Sequence, residues 1–464
     1  MADIYSSLRS AVFDGIQVFR EMFFGSRRGI RDVITLMIPQ AVSVLVGLAT
    51  SIAAARGLGP SGLGAYALVM SLSGIALALS DLGIGQTAVR YASRAVARRD
   101  VGGQHAILRW AFRIRLVLTV LVTGALYLAA PVLAANVWHM EGLSPLLRLG
   151  LLSGVFAAIA SVPNIYFQSL KMFQRTTIVT VGQTLISLVG ILFVAWTNSW
   201  SVHAVILATL VGNGVGALVF LLMVPRTALY TGTEGFLPTP ERIRNLLRGP
   251  SQKNDAGEQM SESAPGIFAG FNLVSTLVVM AVMRLDVWMM GIFLTDGDIG
   301  VYNVGARLAM PLAIILNAIN AALWPRASAV RSVPEAVRML RQTFRLSVVV
   351  AALALLYALI VPHLAPSLFG AAYARSVGLG QLLSLRYAFA ILICPIGVVG
   401  YSLGMVRVYW WINIIQLAAV FIVNYLLLPH FGPTASALAL LVNEVIGVTL
   451  AGIMIMRKIR GLKE

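Results

Sequence analysis

Apolar stretches of about twenty residues or more alternate with short polar segments along nearly the whole chain. A helix needs roughly 20 apolar residues to cross the hydrocarbon core of a bilayer, and these stretches have that length. The pattern therefore predicts an all-α polytopic membrane protein with twelve transmembrane helices. The predicted spans are residues 32–55, 63–83, 111–135, 146–169, 177–197, 203–225, 266–294, 299–324, 346–369, 377–403, 408–429 and 433–456.

The turn between the first two spans has a counterpart in the second half of the chain. Residues 57–62 (GLGPSG) predict a tight turn, because glycine accepts unusual backbone dihedrals and proline cannot continue a helix. Segment 62–66 (GLGAY) is echoed 236 residues later by 298–302 (DIGVY). A shorter echo joins 211–213 (VGN) to 441–443 (LVN). The echoes indicate a duplicated membrane protein.

One long polar segment divides the chain into halves of six predicted spans. Because six is even, both halves enter the membrane from the same side, which implies a pseudo-symmetry axis along the membrane normal. The N-terminal segment reads either as an amphipathic helix on the inner leaflet or as a disordered basic tail. The predicted domains are that N-terminal segment (1–31), a six-helix lobe (32–225), a cytoplasmic linker (226–265), a second six-helix lobe (266–456) and a basic tail (457–464).

Composition supports the membrane prediction and charge sets the orientation. The chain is 58% hydrophobic and 11% charged, whereas soluble domains carry about 25% charged residues. Of the 35 Lys and Arg residues, 29 lie on one predicted side, so both termini are predicted to be cytoplasmic. The net charge of +17 therefore indicates a positive-inside topology and no nucleic-acid partner. The single Cys394 excludes internal disulfides and a cysteine-based metal site.

Six ionisable residues inside the predicted spans are candidates for function. Such groups are expensive in a bilayer, by roughly 2.5–3.5 kcal/mol each, so each is a candidate for function. Arg307 and Arg386 lie about 12 Å deep and Glu444 lies near the midplane, at 1.5 Å of rise per residue. The alternative is that the six form buried ion pairs that fix helix packing. The six are Asp81, Arg284, Asp286, Arg307, Arg386 and Glu444.

The eighth span carries one polar stripe. At 100° per residue, Asn303, Arg307 and Asn317 fall within an arc of about 80°. Asp286 and Arg284 are two residues apart, so they point to different sides of the seventh span. No P-loop, nucleophile elbow or zinc spacing is present, and the predicted outer loops are short. The sequence therefore predicts no enzyme and no cofactor.

Three stretches in order resemble one family. They are ARGLGPSGLGAY, SDLGIGQTAVRYASR and MRLDVWMMGIFLTDGDIGVYNVGARL. Together they resemble the polysaccharide transporter family, the O-unit (Wzx-type) lipid-linked oligosaccharide flippases of the multidrug/oligosaccharidyl-lipid/polysaccharide (MOP) exporter superfamily. The resemblance implies two six-helix lobes in a MATE-like V around a cavity that opens alternately to either side. It also implies a substrate of oligosaccharide linked through pyrophosphate to a polyprenyl lipid.

The residues fit such a substrate. Arginine matches phosphate oxygens bidentately, so Arg307 and Arg386 are the predicted substrate-binding cations, with Asn303 and Asn317 beside them. Coupling to H⁺ or Na⁺ needs a carboxylate at depth, for which Glu444 is the first candidate and Asp286 the second. The expected location is the bacterial inner membrane. Membrane lipids and a polysaccharide polymerase machinery are the expected partners.

Two other functions remain open. One is a MATE-type cation-coupled multidrug exporter, although three arginines against three acids inside the membrane disfavour a cationic substrate. The other is an integral-membrane glycan polymerase or ligase. Such an enzyme needs space for chemistry on the outer side, which the short loops disfavour.

Overall fold

The computed structural model of the protein describes residues 27–170, 172–229, 284–329, 333–402 and 406–460. Within those ranges every regular element is a helix and none is a strand. The predicted all-α class is therefore confirmed. Apolar side chains on all sides of these helices are typical of helices that face lipid on one side and protein on the other.

Eleven long helices make up the described chain. The first six are α1 (Arg27–Asp81), α2 (Ile84–Ala97), α3 (Val101–Val132), α4 (Ser144–Ser169), α5 (Phe173–Trp196) and α6 (Val202–Met223). The other five are α7 (Asp296–Ala329), α8 (Val333–Ile360), α9 (Ser376–Ser402), α10 (Val406–Phe431) and α11 (Pro433–Arg460). Residues 284–293 are also helical, and short helical turns occupy Leu133–Val137, Glu141–Leu143, Arg226–Leu229, Val361–Leu364, Ala365–Phe369 and Ala371–Tyr373.

Ten of the described helices are long and apolar enough to cross a bilayer, against twelve predicted spans. The first two predicted spans fall in one apolar stretch, Val42–Asp81 of α1, whose 40 residues are long enough to cross twice. The predicted seventh span, 266–294, lies mostly outside the described residues. The ten helices thus cover the other eleven predicted spans.

The predicted turn is present inside α1 but is narrower than the sequence indicated. Of its three glycines only Gly59 leaves helical geometry, with φ 68° and ψ −179°. A positive φ is readily adopted only by glycine. The following Pro60 then starts a new helical arm, where its missing N–H is not needed.

The arginine-rich segment after the second span forms a helix of its own. Leu82 and Gly83, both with positive φ, separate α2 from α1. The buried face of α2, which includes Ala88 and Ala92, packs into a core shared with α3, α4 and α6. In that core the rings of Phe167 and Phe220 lie 6.2 Å apart. The helix that follows α1 therefore packs against α3, α4 and α6.

The helices cluster into two compact units. The first contains the described parts of Met1–Val44, Ser51–Ala67 and Leu285–Glu464, and the second contains Leu45–Thr50 and Leu68–Arg284. In the first unit α9 packs against α7, α8 and α11. A side chain halfway along α9 is therefore surrounded by helices, which explains the burial of Arg386.

Three predicted segments lie largely outside the described residues. They are the N-terminal segment 1–31, the linker 226–265 and the basic tail 457–464, of which only 27–31, 226–229 and 457–460 are described. These segments and the exact lobe boundaries stay predictions.

Candidate functional site

Arg386 and Glu444 form an ion pair between α9 and α11. The Nε and Nη2 atoms of Arg386 donate to Glu444 Oε1 over 3.2 and 3.1 Å. Arg386 is 7% exposed, so its charge is almost fully removed from solvent. A buried guanidinium is tolerated only with a charged or strongly polar partner, and Glu444 supplies it.

Glu444 also lines a cavity of about 270 Å³ inside the first unit. Its Oε2 accepts no hydrogen bond from the described residues, and its side chain is 20% exposed. Asn320 and Asn413 contribute further polar groups to the wall, and Gln416 donates to the Asn443 carbonyl over 2.8 Å. The cavity thus offers a carboxylate that can take a proton, together with amide oxygens, and hard cations prefer such oxygen ligands.

Asp286 lies in a second buried group close to the first. Its Oδ2 accepts a bond from the Tyr302 hydroxyl over 2.6 Å, and its Oδ1 accepts one from the Val287 amide over 2.7 Å. Tyr302 is 2% exposed and interacts electrostatically with Arg386. The structure therefore pairs Asp286 with Tyr302 and Glu444 with Arg386, and both pairs lie in the first unit.

The predicted stripe on α7 does not join these two pairs directly. Glu444 pairs with Arg386 and not with Arg307, whose Nη1 lies 3.9 Å from Met310 Sδ. Asn303 is half-buried and Asn317 is exposed. None of the three belongs to the described residues that line the Glu444 cavity.

The second unit holds an ion pair that sequence reasoning missed. Asp81 Oδ1 accepts bonds from Arg115 Nη1 and, over 3.2 Å, from the Gly85 amide at the start of α2. The pair lines a cavity of about 430 Å³ together with Asn164 and Gln168. Arg115 lies inside the predicted third span, and that position was the available signal. In the sequence it counts as one of many basic residues near the inner face.

The two similar segments 62–66 and 298–302 are both helical, each near the start of a helical arm, and these paired helical turns contact each other reciprocally within the first unit. A Cβ added to Gly64 would collide with the Asp296 carbonyl, and one added to Gly300 would collide with the Pro60 carbonyl. The corresponding Cβ–Cα distances are 3.0 and 3.1 Å. Gly64 and Gly300 are related by the offset of 236 residues, and so are Pro60 and Asp296. Such a contact, in which i meets j and j meets i, is typical of a two-fold axis.

Further hydrogen bonds hold the end of the first arm of α1, just before Gly59, against the same unit. Arg56 donates to the carbonyls of Ser367 and Leu368 over 2.7 and 2.8 Å. The Tyr373 hydroxyl donates to the Ala55 carbonyl over 3.0 Å, and burial raises the pKa of this hydroxyl, so it stays a donor. These residues lie at the predicted outer ends of their spans.

No group of three or more metal-ligating His, Cys, Asp or Glu side chains occurs among the residues that the structure describes. The arrangement is instead one of paired charges at bilayer depth. Ion pairs of this kind can exchange partners with an anionic ligand or release their carboxylate to a proton.

The fold is similar to that of solved MOP-superfamily transporters. An inward-facing multidrug-resistance MATE transporter matches with a TM-score of 0.68 and 19% identity, covering 93% of this chain and 98% of that one. The lipid II flippase MurJ in an inward closed conformation matches with a TM-score of 0.68 and 12% identity, covering 91% and 87%. A MOP transporter from Pyrococcus furiosus, described by a reversed polarity of its binding pocket, matches at 0.58 and 18%, covering 96% and 98%.

A comparison with curated protein sequences gave no match. At these identities the structural matches show a shared fold. The family itself follows from the sequence, because the model of the polysaccharide biosynthesis proteins matches residues 30–331. The chain therefore belongs to the polysaccharide biosynthesis protein family and has the fold of the MOP-superfamily transporters.

Proposed function

We propose that the protein is a flippase that moves polyprenyl-pyrophosphate-linked oligosaccharide units across the bacterial inner membrane. The units serve surface polysaccharide biosynthesis, as O-antigen, capsule or exopolysaccharide. The observation that carries the proposal is the buried Arg386–Glu444 pair, whose carboxylate lines a largely apolar cavity together with the amides of Asn320, Asn413 and Gln416. Membership of the polysaccharide biosynthesis protein family supports the same proposal.

The substrate chemistry explains why such groups are needed. A glycan head group crosses hydrocarbon only if its hydrogen bonds are met by protein, while the polyprenyl tail stays in lipid. The pyrophosphate is a compact anion that arginine binds bidentately. Arg386 is the first candidate for this contact, and Arg307 with Asn303 and Asn317 is the second.

Substrate and coupling ion would act on the two members of the same pair, the substrate on Arg386 and the proton on Glu444. The Nε and Nη2 atoms of Arg386 donate to Oε1 of Glu444. A pyrophosphate can therefore bind the guanidinium only after these hydrogen bonds break. A proton on Glu444 neutralises the carboxylate and releases Arg386 to the substrate. A proton moving down 100 mV supplies about 2.3 kcal/mol, which is enough to bias a two-state carrier. Asp286 is the second candidate for coupling, and Na⁺ is the alternative ion.

The protein acts in this proposal as a carrier without catalytic chemistry. Both termini face the cytoplasm, membrane lipids surround the spans, and a polysaccharide polymerase machinery receives the flipped product. Alternating access exposes the cavity to each side in turn.

The test is flipping in reconstituted vesicles. A fluorescent polyprenyl-pyrophosphate oligosaccharide is placed in both leaflets, and its loss of fluorescence to a membrane-impermeant quencher is followed with and without an imposed proton gradient. We expect protein-dependent flipping that accelerates with the gradient. Export of cationic dyes without flipping of the glycan lipid would instead identify a MATE-type exporter. Chain extension of the glycan would identify a polymerase.

A further inference from the structure

Tyr302 lies at the end of the helical segment 298–302 and is hydrogen-bonded to the buried Asp286. It ends the segment 298–302, two residues after Gly300, whose backbone packs against Pro60. Its hydroxyl donates to Asp286 over 2.6 Å, and it interacts electrostatically with Arg386. A displacement of segment 298–302 would therefore also move the Tyr302 hydroxyl, which donates the hydrogen bond to Asp286.

The turn contact is suited to separate as a unit. It rests on the close approach of Gly64 and Gly300 to the carbonyl groups of Asp296 and Pro60. Around it lie exposed polar contacts, such as Arg375–Asp298 at 3.2 Å and Ser61–Asp296 at 3.5 Å, which water readily replaces. An opening towards the outer side has to change contacts at the outer ends of the spans.

We propose that Tyr302 is a positioning residue that makes the proton affinity of Asp286 depend on whether the paired turns are in contact. The inference rests on the proposed function only in treating the protein as an ion-coupled carrier. With the turns packed, the hydroxyl donates to Asp286 and stabilises the charged carboxylate. When the turns separate, the hydroxyl withdraws and the carboxylate takes a proton from the outer solution. By reciprocity, protonation of Asp286 favours separated turns.

Other charged groups face this pair and set the background of any pH response. Arg386 and Tyr387 approach Tyr302 from α9. Glu444 approaches from α11 through its bond to Arg386. The acids and the cation at the turn, Asp296, Asp298 and Arg375, are closer to solvent. Since these groups are unchanged in a Tyr302→Phe variant, a shift caused by that variant reports the lost hydroxyl.

The chain supplies one matched control tyrosine. The Tyr357 hydroxyl donates to the Leu308 carbonyl over 2.6 Å and so joins α8 to α7. Substitution of Tyr357 or of Tyr302 by phenylalanine removes one hydroxyl and one hydrogen bond. The acceptor of the Tyr302 hydroxyl is a carboxylate, whereas that of the Tyr357 hydroxyl is a backbone carbonyl. The control therefore separates a general loss of stability from an altered proton affinity.

The experiment measures the opening of the turns directly. Nitroxide labels at Ser61→Cys and Gly297→Cys, in a Cys394→Ala background, report the distance across the contact by pulsed EPR in lipid vesicles. We expect the long-distance population to grow as the pH falls. Tyr302→Phe should move the midpoint to higher pH by about one unit, the size expected for one buried bond to a carboxylate. Tyr357→Phe should leave it unchanged.

The outcomes distinguish the two proposals. An unshifted midpoint in Tyr302→Phe, or an equal shift in Tyr357→Phe, overturns the positioning role, whatever the substrate is. A wild-type protein that opens with pH but flips no glycan lipid overturns the proposed function alone. If Tyr302→Phe fails to fold, Asp286→Asn replaces it, because this variant mimics the protonated carboxylate. We expect it to abolish the pH response, and a wild-type response in it overturns the role.

Discussion

Removing one partner of the Arg386–Glu444 pair, and then both, separates a transport role from a packing role. Glu444→Leu leaves the guanidinium buried without its carboxylate, and Arg386→Met leaves the carboxylate without its cation. The double variant replaces the pair by apolar side chains that fit a helix interface. Each single variant therefore leaves one unpaired buried charge, whereas the double variant leaves none. A loss of stability can thus be separated from a loss of the charged pair.

The magnitudes follow from the burial of the pair. Arg386 is 7% exposed, and its Nε and Nη2 atoms both donate to one oxygen of Glu444, so this carboxylate is the charged partner of the buried guanidinium. Breaking a buried pair by removing one partner costs about 3–5 kcal/mol, whereas replacing both partners is neutral or stabilising by about 1–4 kcal/mol. We expect both single variants to melt at lower temperature than the wild type, and the double variant to melt at or above it.

Transport should not follow stability. In the proposed mechanism all three variants lose gradient-driven flipping, because the pair supplies both the anion site and the proton site. Thermal unfolding in detergent and flipping in vesicles are measured side by side. Asn213→Ala serves as the control, since its bond to Ser153 over 2.6 Å joins two helices of the second unit. We expect a modest loss of stability with flipping retained.

A double variant that regains both stability and wild-type flipping would refute the reasoning. Its result would assign the pair to helix packing alone. Arg307 would then be the remaining candidate for binding the pyrophosphate, and Asp286 the remaining candidate for ion coupling.

Three further predictions test other parts of the argument. A reporter fused at residue 250 should report a cytoplasmic linker, and an external location would overturn the division into two six-span halves. Arg307→Ala should abolish export in a protein that still inserts, while Arg307→Lys keeps part of it; normal export by the alanine variant would make the residue a packing partner. Gly64→Ala and Gly300→Ala should each destabilise the protein by about 1–3 kcal/mol, because the new Cβ meets a carbonyl. Gly182→Ala, with nothing within 4 Å, is their control, and equal melting temperatures would show that the turns do not touch.

The architecture of the chain could be predicted from its sequence because each signal was local. A run of apolar residues has no stable alternative to a bilayer or a buried core, and the helix satisfies its own backbone there. The same holds for the turn at Gly59, where only glycine adopts the required φ. The ionisable residues at depth were also visible, since their cost depends on the bilayer and not on a partner.

The pairing of those residues could not be predicted. The helical period places Glu444 on a face of α11 but does not say which helix covers that face. Arg386 lies 58 residues away and Arg307 lies 137 residues away, and both were candidates. Arg115 was overlooked for the same reason, because Asp81 and Arg115 meet only when α3 packs beside the end of α1.

Segments 62–66 and 298–302 show most clearly what the sequence determines and what only the tertiary structure decides. The sequence by itself determined that the chain is a membrane-embedded helical bundle, and the likeness of GLGAY to DIGVY predicted a duplication. Tertiary structure alone decided that the two copies touch, that Tyr302 reaches Asp286 and that Arg386 holds Glu444. Local propensity and hydrophobicity act along the chain, whereas the packing of distant helices selects which of many compatible faces meet.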